Sequence, residues 1–386
     1  MTDKTVLIAG ALGLIGRAAV EHFTTLEGWK VIGISRRKPD FETGARFVSV
    51  DLTDRQACEA VFGAMPEVTH VVYAALYEKP DLIAGWRDPE QMAVNLAMLR
   101  NLWEPLERAA RGLRHLSLMQ GAKAYGVHLE PSPVPAKERW PRHRHENFYW
   151  LQEDWIRERQ AGKDWSFTIF RPQAVLGFAH GSPMNALAAL GAYAALRREQ
   201  GLPLAFPGGG ERVHEATDAR LVARAMAWAA GASVAANETY NVHNGDALVW
   251  QHVFPRIAEV FGMEHTPEPE PQRLETEMPR HERLWADIAA RHDLAESSLH
   301  RLVGGSWAFT DRTLAYGQPH PAHQSLSTIK IRSHGFHDCL DTEDALAWWL
   351  ERMQRERLLP ASGLLEGVVK GQCGREGSGR HELARR

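Results

Sequence analysis

A tyrosine followed four residues later by a lysine on one helix is a common hydride-transfer pattern, in which the lysine lowers the tyrosine pKa and holds a ribose. This chain lacks the pattern: Glu153 stands four residues beyond Tyr149, and Leu129 four beyond Tyr125. A lysine and a tyrosine can still meet when adjacent segments bring them to the end of one sheet. Lys123 and Tyr149 are spaced for that, with Tyr125, two residues after Lys123, as the next candidate. Other side chains suit phosphate. Gly10, Gly13 and Gly16 follow the apolar run Thr5-Val-Leu-Ile-Ala and precede the helical pattern Arg17-Ala-Ala-Val-Glu-His-Phe. Gly10 allows a tight turn, Gly13 lets backbone approach a pyrophosphate, and Gly16 lets a helix pack on the strand. With Leu12, Leu14 and Ile15 they form a strand–turn–helix joint whose helix start offers free N–H groups and a partial positive charge.

The elements that must position these residues alternate as in a parallel sheet. Lys30–Ile34 reads as a second strand ending in Ser35-Arg36-Arg37, where a carboxylate would otherwise hold the ribose hydroxyl of NAD. Two guanidiniums and no carboxylate favour a 2′-phosphate, hence NADP. A third strand, Arg46–Val50, delivers Asp51 and Leu52 to the adenine, and a fourth, Thr69–Tyr73, delivers the small Ala74 and Ala75 to the crevice. A helix is predicted from about Asp88 to Arg111, kinked or ended by Pro105. Arg114–Met119 is the next strand, with Gln120 and Lys123 in the loop at its carboxyl end. The stretch Pro131–His145 reads as a surface excursion, and its His143 and His145 as solvated loop rather than metal ligands. A helix opens at Asn147, and the strand Trp165–Phe170 ends at Arg171-Pro172. Later segments, including helices at Met184–Arg198 and Ala219–Ala230 and a strand Thr239–Val242, read as a substrate lobe interleaved with the last strands. Thr266-Pro-Glu-Pro-Glu-Pro reads as a linker.

Composition narrows the classes. A chain of 386 residues with 44% hydrophobic content can bury a large core. Its longest apolar-rich run, Met184–Leu196, falls short of the ~18 residues of a membrane span. A formal charge of −3 gives no general attraction to nucleic acid or anionic membrane. Cys58, Cys339 and Cys373 have neither zinc spacing nor an even count, and the chain enters a strand without a basic-then-apolar leader. A reduced, cytoplasmic protein is the expectation.

The ordered motifs resemble the progesterone 5β-reductase/iridoid synthase-like family of atypical extended short-chain dehydrogenases/reductases. They run from the glycine loop through Trp29-Lys-Val-Ile-Gly with Ser35-Arg36-Arg37, Val68-Thr-His-Val-Val-Tyr73 and Gly121-Ala-Lys123-Ala-Tyr125. Asn147-Phe-Tyr149-Trp, Arg171-Pro172, Gly177-Phe178, Met184-Asn185, Phe206-Pro-Gly, Asn244-Gly-Asp246 and His334-Gly335-Phe336 follow in order. The resemblance implies that the family's lysine falls on Lys123 and its tyrosine on Tyr149, from separate motifs, and that the chemistry is reduction of α,β-unsaturated carbonyl compounds with NADPH. The sequence departs from the family at Met119-Gln120-Gly121, Ala122, Ala124 and Leu76, all near the expected pocket, which weakens any transfer of a steroid or iridoid substrate.

The reading is therefore α/β: a Rossmann-type doubly wound parallel sheet over 1–180, with strands near 204–245 returning to it. A smaller, mostly helical substrate lobe covers 181–360, and a disordered tail 361–386. Tyr149 and Lys123 are the expected catalytic residues. The expected NADPH/NADP+ contacts are the glycine-loop residues, Ser35, Arg36, Arg37, Asp51, Leu52, Ala74, Ala75, Gln120, Lys123, Tyr149 and Val175, with no metal. The expected partner is a small hydrophobic enone or enal, with no nucleic acid or membrane, and a homodimer is the assembly considered. The competing functions are a nucleotide-sugar epimerase or dehydratase on the same fold, and a non-catalytic NADP sensor.

Overall fold

In the computed structural model, which describes residues 4–362, the first six strands are β1 (Lys4–Ala9), β2 (Trp29–Ser35), β3 (Arg46–Ser49), β4 (His70–Tyr73), β5 (His115–Met119) and β6 (Ser166–Pro172). Three two-residue strands follow, β7 (Val175–Leu176), β8 (Val213–His214) and β9 (Thr217–Asp218), and then β10 (Glu238–Val242). The main sheet is parallel throughout, in the order β10-β6-β5-β4-β1-β2-β3. The order reverses between β1 and β4. The carboxyl ends of those two strands thus part into a crevice, the place where open α/β sheets bind ligands.

Alternation along β1 explains why both faces are covered. Val6 and Ile8 join one core with helices α1 (Leu14–Thr25), α6 (Ala186–Glu199) and α7 (Ala219–Ala229), while Leu7 and Ala9 join a second core on the opposite face. That second core takes in α2 (Arg55–Phe62), α4 (Pro89–Ala109) and Ile156 of α5 (Phe148–Gln160); the short α3 (Leu82–Gly85) precedes α4. Asp88 caps α4, accepting from the backbone N–H groups of Glu90 and Gln91. Pro105 does not end this helix, which continues to Ala109. The neighbouring Trp103 and Leu106 are wholly buried in the second core, and their packing outweighs the bond that the proline removes.

The excursion Pro131–His145 is held at several points: Ala136 is buried and bonded through its backbone to Ser325 and Ser327, Glu138 accepts from the Asn241 N–H at 2.9 Å, and Arg142 lies 3.1 Å from Glu153. Of the tail expected over 361–386, Ala361 accepts from Arg198 and Ser362 is buried, and the rest lies outside the described residues. Among the described residues no helix is long and apolar enough to cross a membrane.

Candidate active site

Above the sheet's carboxyl edge opens a cleft of about 1670 Å³. Apart from Gly16, every residue expected to touch cofactor lines it, from Gly10 through Ser35, Asp51, Ala74 and Gln120 to Val175. Gly10 has φ +76°, and a Cβ there would lie 2.7 Å from the backbone of Ala74 and Ala75. Gly16 sits behind the loop, where a Cβ would come within 2.0 Å of the Gly10 carbonyl oxygen. The turn and the start of α1 are thus closed to larger residues, while above Gly13 a Cβ would meet only the Gly10 oxygen, at 3.3 Å. Gly13 caps α1 without a side-chain bond, and no acidic residue stands in the first turn. Those first-turn N–H groups have no acceptor within the helix, so the cradle fits a dinucleotide pyrophosphate.

At the end of β2 the side chains of Arg36 and Arg37 are exposed on the cleft rim. Arg36 lies 4.0 Å from Asp51, and Arg37 donates to the His180 carbonyl at 3.4 Å. Both contacts are long and solvated, so either guanidinium can turn to a phosphate at little cost.

Lys123 and Tyr149 arrive from different elements. Lys123 sits in the single 3₁₀ turn Ala122–Tyr125 after β5, its Nζ 3.9 Å from the ring centroid of Trp86. Burial pulls its ammonium down to about 8, against the opposing attraction of Glu78. Tyr149 opens α5, where its N–H donates to the capping side chain of Asn147 at 3.0 Å. The ring is buried, and its hydroxyl would lie 3.2 Å from a Cβ placed on Gly121, so the glycine makes room for the phenol. Burial, and then the nearby Glu78 carboxylate, raise the phenol's pKa, which keeps it a protonated donor.

The position where a helical lysine would follow Tyr149 is occupied by Glu153, which faces away from the cleft into a buried network. Its Oε2 accepts from Gln120 at 3.0 Å and lies 3.4 Å from Arg171, while its Oε1 lies 2.9 Å from Arg157 and 3.1 Å from Arg142. Burial opposes this charge, but Arg171, Gln120, Arg157 and Arg142 together outweigh it and hold the carboxyl below its ordinary range. Gln120, expected at the cofactor, also donates to the Tyr149 carbonyl at 3.3 Å and accepts from Arg171 at 2.8 Å. Its side chain ties α5 to β5 and β6. Tyr125 belongs to the same network: its hydroxyl donates to Asn241 at 2.7 Å and accepts from Arg171 at 3.3 Å, and the residue does not line the cleft. His143 pairs with Glu130 at 2.8 Å.

Sequence reasoning missed Glu78, Trp86, Arg212 and Arg312, all of which line the cleft. No local motif marks them. They were discoverable only as side chains that the fold gathers from distant segments.

The sequence profile of the NAD dependent epimerase/dehydratase family matches residues 6–242. The chain belongs to that family. Relatives of known activity point to a narrower group. A short chain dehydrogenase of Penicillium aethiopicum is 30% identical over 390 residues, covering 92% of this chain and 99% of the relative. An (S)-8-oxocitronellyl enol synthase of Nepeta racemosa is 29% identical over 377 residues (92% and 91%), and the 3-oxo-Delta(4,5)-steroid 5-beta-reductase of Arabidopsis thaliana is 28% identical over 379 (93% and 94%). These matches bear out the resemblance to the progesterone 5β-reductase/iridoid synthase-like enzymes, and the chain is an oxidoreductase. Among solved structures, the UDP-glucose 4-epimerase of Thermotoga maritima superposes with a TM-score of 0.65 at 17% identity, over 91% of this chain and 99% of its own. At that identity the likeness shows the Rossmann-type fold alone.

Proposed function

We propose that the protein reduces the activated C=C bond of α,β-unsaturated carbonyl compounds with NADPH. The observation that carries this reading is the pairing of Lys123 and Tyr149 on one cleft, from separate elements, with the tyrosine hydroxyl held protonated. A bound NADPH would supply the hydride to the substrate β-carbon. As negative charge moves onto the carbonyl oxygen, the Tyr149 hydroxyl donates a hydrogen bond to it, and the enolate is stabilised as an oxyanion is in acyl transfer. Lys123, set against Trp86 beside the phenol's segment, keeps that end of the cleft electropositive. The α-carbon then takes a proton from solvent. The cofactor would lie along the glycine loop, with its 2′-phosphate between Arg36 and Arg37 and its adenine near Asp51 and Leu52. Residues beyond 180 would supply the far wall of the substrate space, through Arg212, Phe309 and Arg312.

Sugar-nucleotide epimerisation on the same fold needs a tyrosine that gives up its proton to become a base. With Glu153 in place of the helical lysine, and burial and then Glu78 raising the phenol's pKa, Tyr149 is poorly suited to that role. The deciding experiment follows NADPH oxidation against a panel of cyclic enones, linear enones and enals. Consumption with formation of the saturated carbonyl product is expected. A panel that leaves NADPH untouched, or yields only allylic alcohols, overturns the reading.

A further inference from the structure

Beyond Lys123 the cleft wall holds two guanidiniums to which the proposed reduction assigns no chemistry. Arg312, on the helix Ser306–Thr313, places its Cζ 5.8 Å from the centroid of the same Trp86 indole that Lys123 covers at 3.9 Å. Arg212, just before β8, is 8% exposed, and its Nη2 donates to the backbone carbonyls of Thr313 at 2.5 Å and Arg312 at 3.3 Å. Its Nε is buried without a hydrogen-bond partner. Among the described residues no carboxylate forms an ion pair with either arginine, and the Arg312 side chain makes no hydrogen bond.

None of the acids that share the cleft pairs with these two arginines: Asp51 lies 4.0 Å from Arg36, and the Oε1 of Glu78 is buried without a hydrogen-bond partner. Glu130 pairs with His143, Glu296 with Arg301, and Glu78 faces Lys123 while accepting from Gln91. Burial, and then the charge of Arg312, bring Arg212 down to about 10, and burial with the charge of Arg87 lowers Arg312. An unpaired cation as buried as Arg212 is costly, and the half-buried, unpaired Arg312 beside it adds to the cost. A protein that retains them against its own stability gains when an anion enters between them. They come from segments other than the glycine loop and the end of β2, where the dinucleotide phosphates would lie.

We infer that Arg212 and Arg312 bind an anionic group, a carboxylate or phosphate, carried by the substrate on the side remote from the cofactor. This deepens the enone-reductase reading and rests on it: the substrate becomes an enone or enal with a charged tail, rather than a wholly apolar one. A guanidinium pair favours oxyanions through charge-assisted and bidentate bonds, and it fixes which end of the molecule faces Tyr149.

The test is calorimetric titration of the NADP+-loaded protein with levulinate and its longer straight-chain keto-acid homologues, each against its methyl ester and against the matching keto-alkyl phosphate. At least one anion is expected to bind about tenfold or more tighter than its ester, and the tighter anion class identifies the group. In Arg312→Gln that ratio should fall towards one. Arg212→Gln should do the same, with its melting temperature measured alongside because it also loses two bonds to helix carbonyls. Equal binding of anion and ester in the wild type, or a preference that survives both substitutions, overturns the inference. The probes are saturated ketones, so this result stands apart from turnover. If β-acetylacrylate and its methyl ester both leave NADPH unoxidised, the reductase reading fails while the anion site is still decided by the titration.

Discussion

Tyr149 and the arginines at the end of β2 carry the most direct tests. If the Tyr149 hydroxyl stabilises an enolate, Tyr149→Phe removes one oxyanion donor and lowers kcat on a weakly activated cyclic enone by ~10²-fold or more, a loss of ~2.7 kcal/mol. NADPH affinity should stay near wild type, because the ring that fills the buried site remains. Full activity in the phenylalanine variant would remove Tyr149 from the mechanism. Tyr125 could not readily replace it, since its hydroxyl is committed to Asn241 and Arg171. For the cofactor, the exposed Arg36 and Arg37 predict a preference for NADPH over NADH of at least tenfold, or ~1.4 kcal/mol, measured by fluorescence titration. Arg36→Ala with Arg37→Ala should abolish it. An unchanged ratio of the two dissociation constants would mean that the 2′-phosphate binds elsewhere.

The elements that place these side chains were legible to different degrees, and the differences have physical causes. The strands and the glycine joint could be read because their signals are local: β-branched runs of strand length, then glycines at turn spacing. Gly16 shows how strict that local signal is, since the first carbon of any side chain would meet the Gly10 oxygen at 2.0 Å. Gly16→Ala should therefore push α1 off the loop, costing about 1–3 kcal/mol of stability and weakening NADPH binding at least tenfold, read by thermal melting and cofactor titration. The reach of α4 past Pro105 was not legible, because burial of Trp103 and Leu106 in the second core decided it. Nor was the far wall of the cleft, where Trp86, Lys123 and Arg312 meet only after the sheet has formed. Glu153 was visible as a missing lysine, but its binding to three arginines was not. That network makes a further element-scale prediction. Glu153→Lys restores the Tyr-x-x-x-Lys spelling yet sets a fourth cation among Arg142, Arg157 and Arg171, so it should destabilise the protein by about 3–5 kcal/mol and should not rescue Lys123→Met. Recovery of activity in that double variant would place residue 153 on the cleft, contrary to the network.

At the scale of the whole molecule, buried histidines set the response to acid. His70 and His115 stand opposite each other on β4 and β5, and burial holds them down to about 4 and about 3. His214 of β8 and His243, just after β10, are likewise buried, at about 3 and about 4. Their hydrogen bonds agree with neutral rings: Nδ1 of His214 accepts from the Trp250 indole at 3.1 Å, and Nδ1 of His243 accepts from the Gly245 N–H at 3.1 Å. The sign follows from linkage. Above about pH 6.5 these histidines are neutral in both folded and unfolded chains and contribute no pH dependence. Below it the unfolded chain takes up protons that the folded chain refuses, so stability falls as pH drops towards the folded values near 3–4. Each such histidine can remove up to ~1.4 kcal/mol per pH unit, which makes about 5.5 kcal/mol per unit for the four in the steep region. Glu215 works the other way. Burial raises its carboxyl to about 7, so it holds a proton that the unfolded chain has released, and it gains stability as pH falls from about 7 to its unfolded value. One proton opposes several, and the histidines win. Set against a typical stability of 5–15 kcal/mol, this predicts urea midpoints that are level from about pH 8 to 7 and then fall steeply, with unfolding in buffer alone by about pH 5. A midpoint that holds constant down to about pH 5 would mean that these imidazoles take up protons without unfolding, and that the sheet and the segments around β8 and β10 tolerate charge where the packing says they should not.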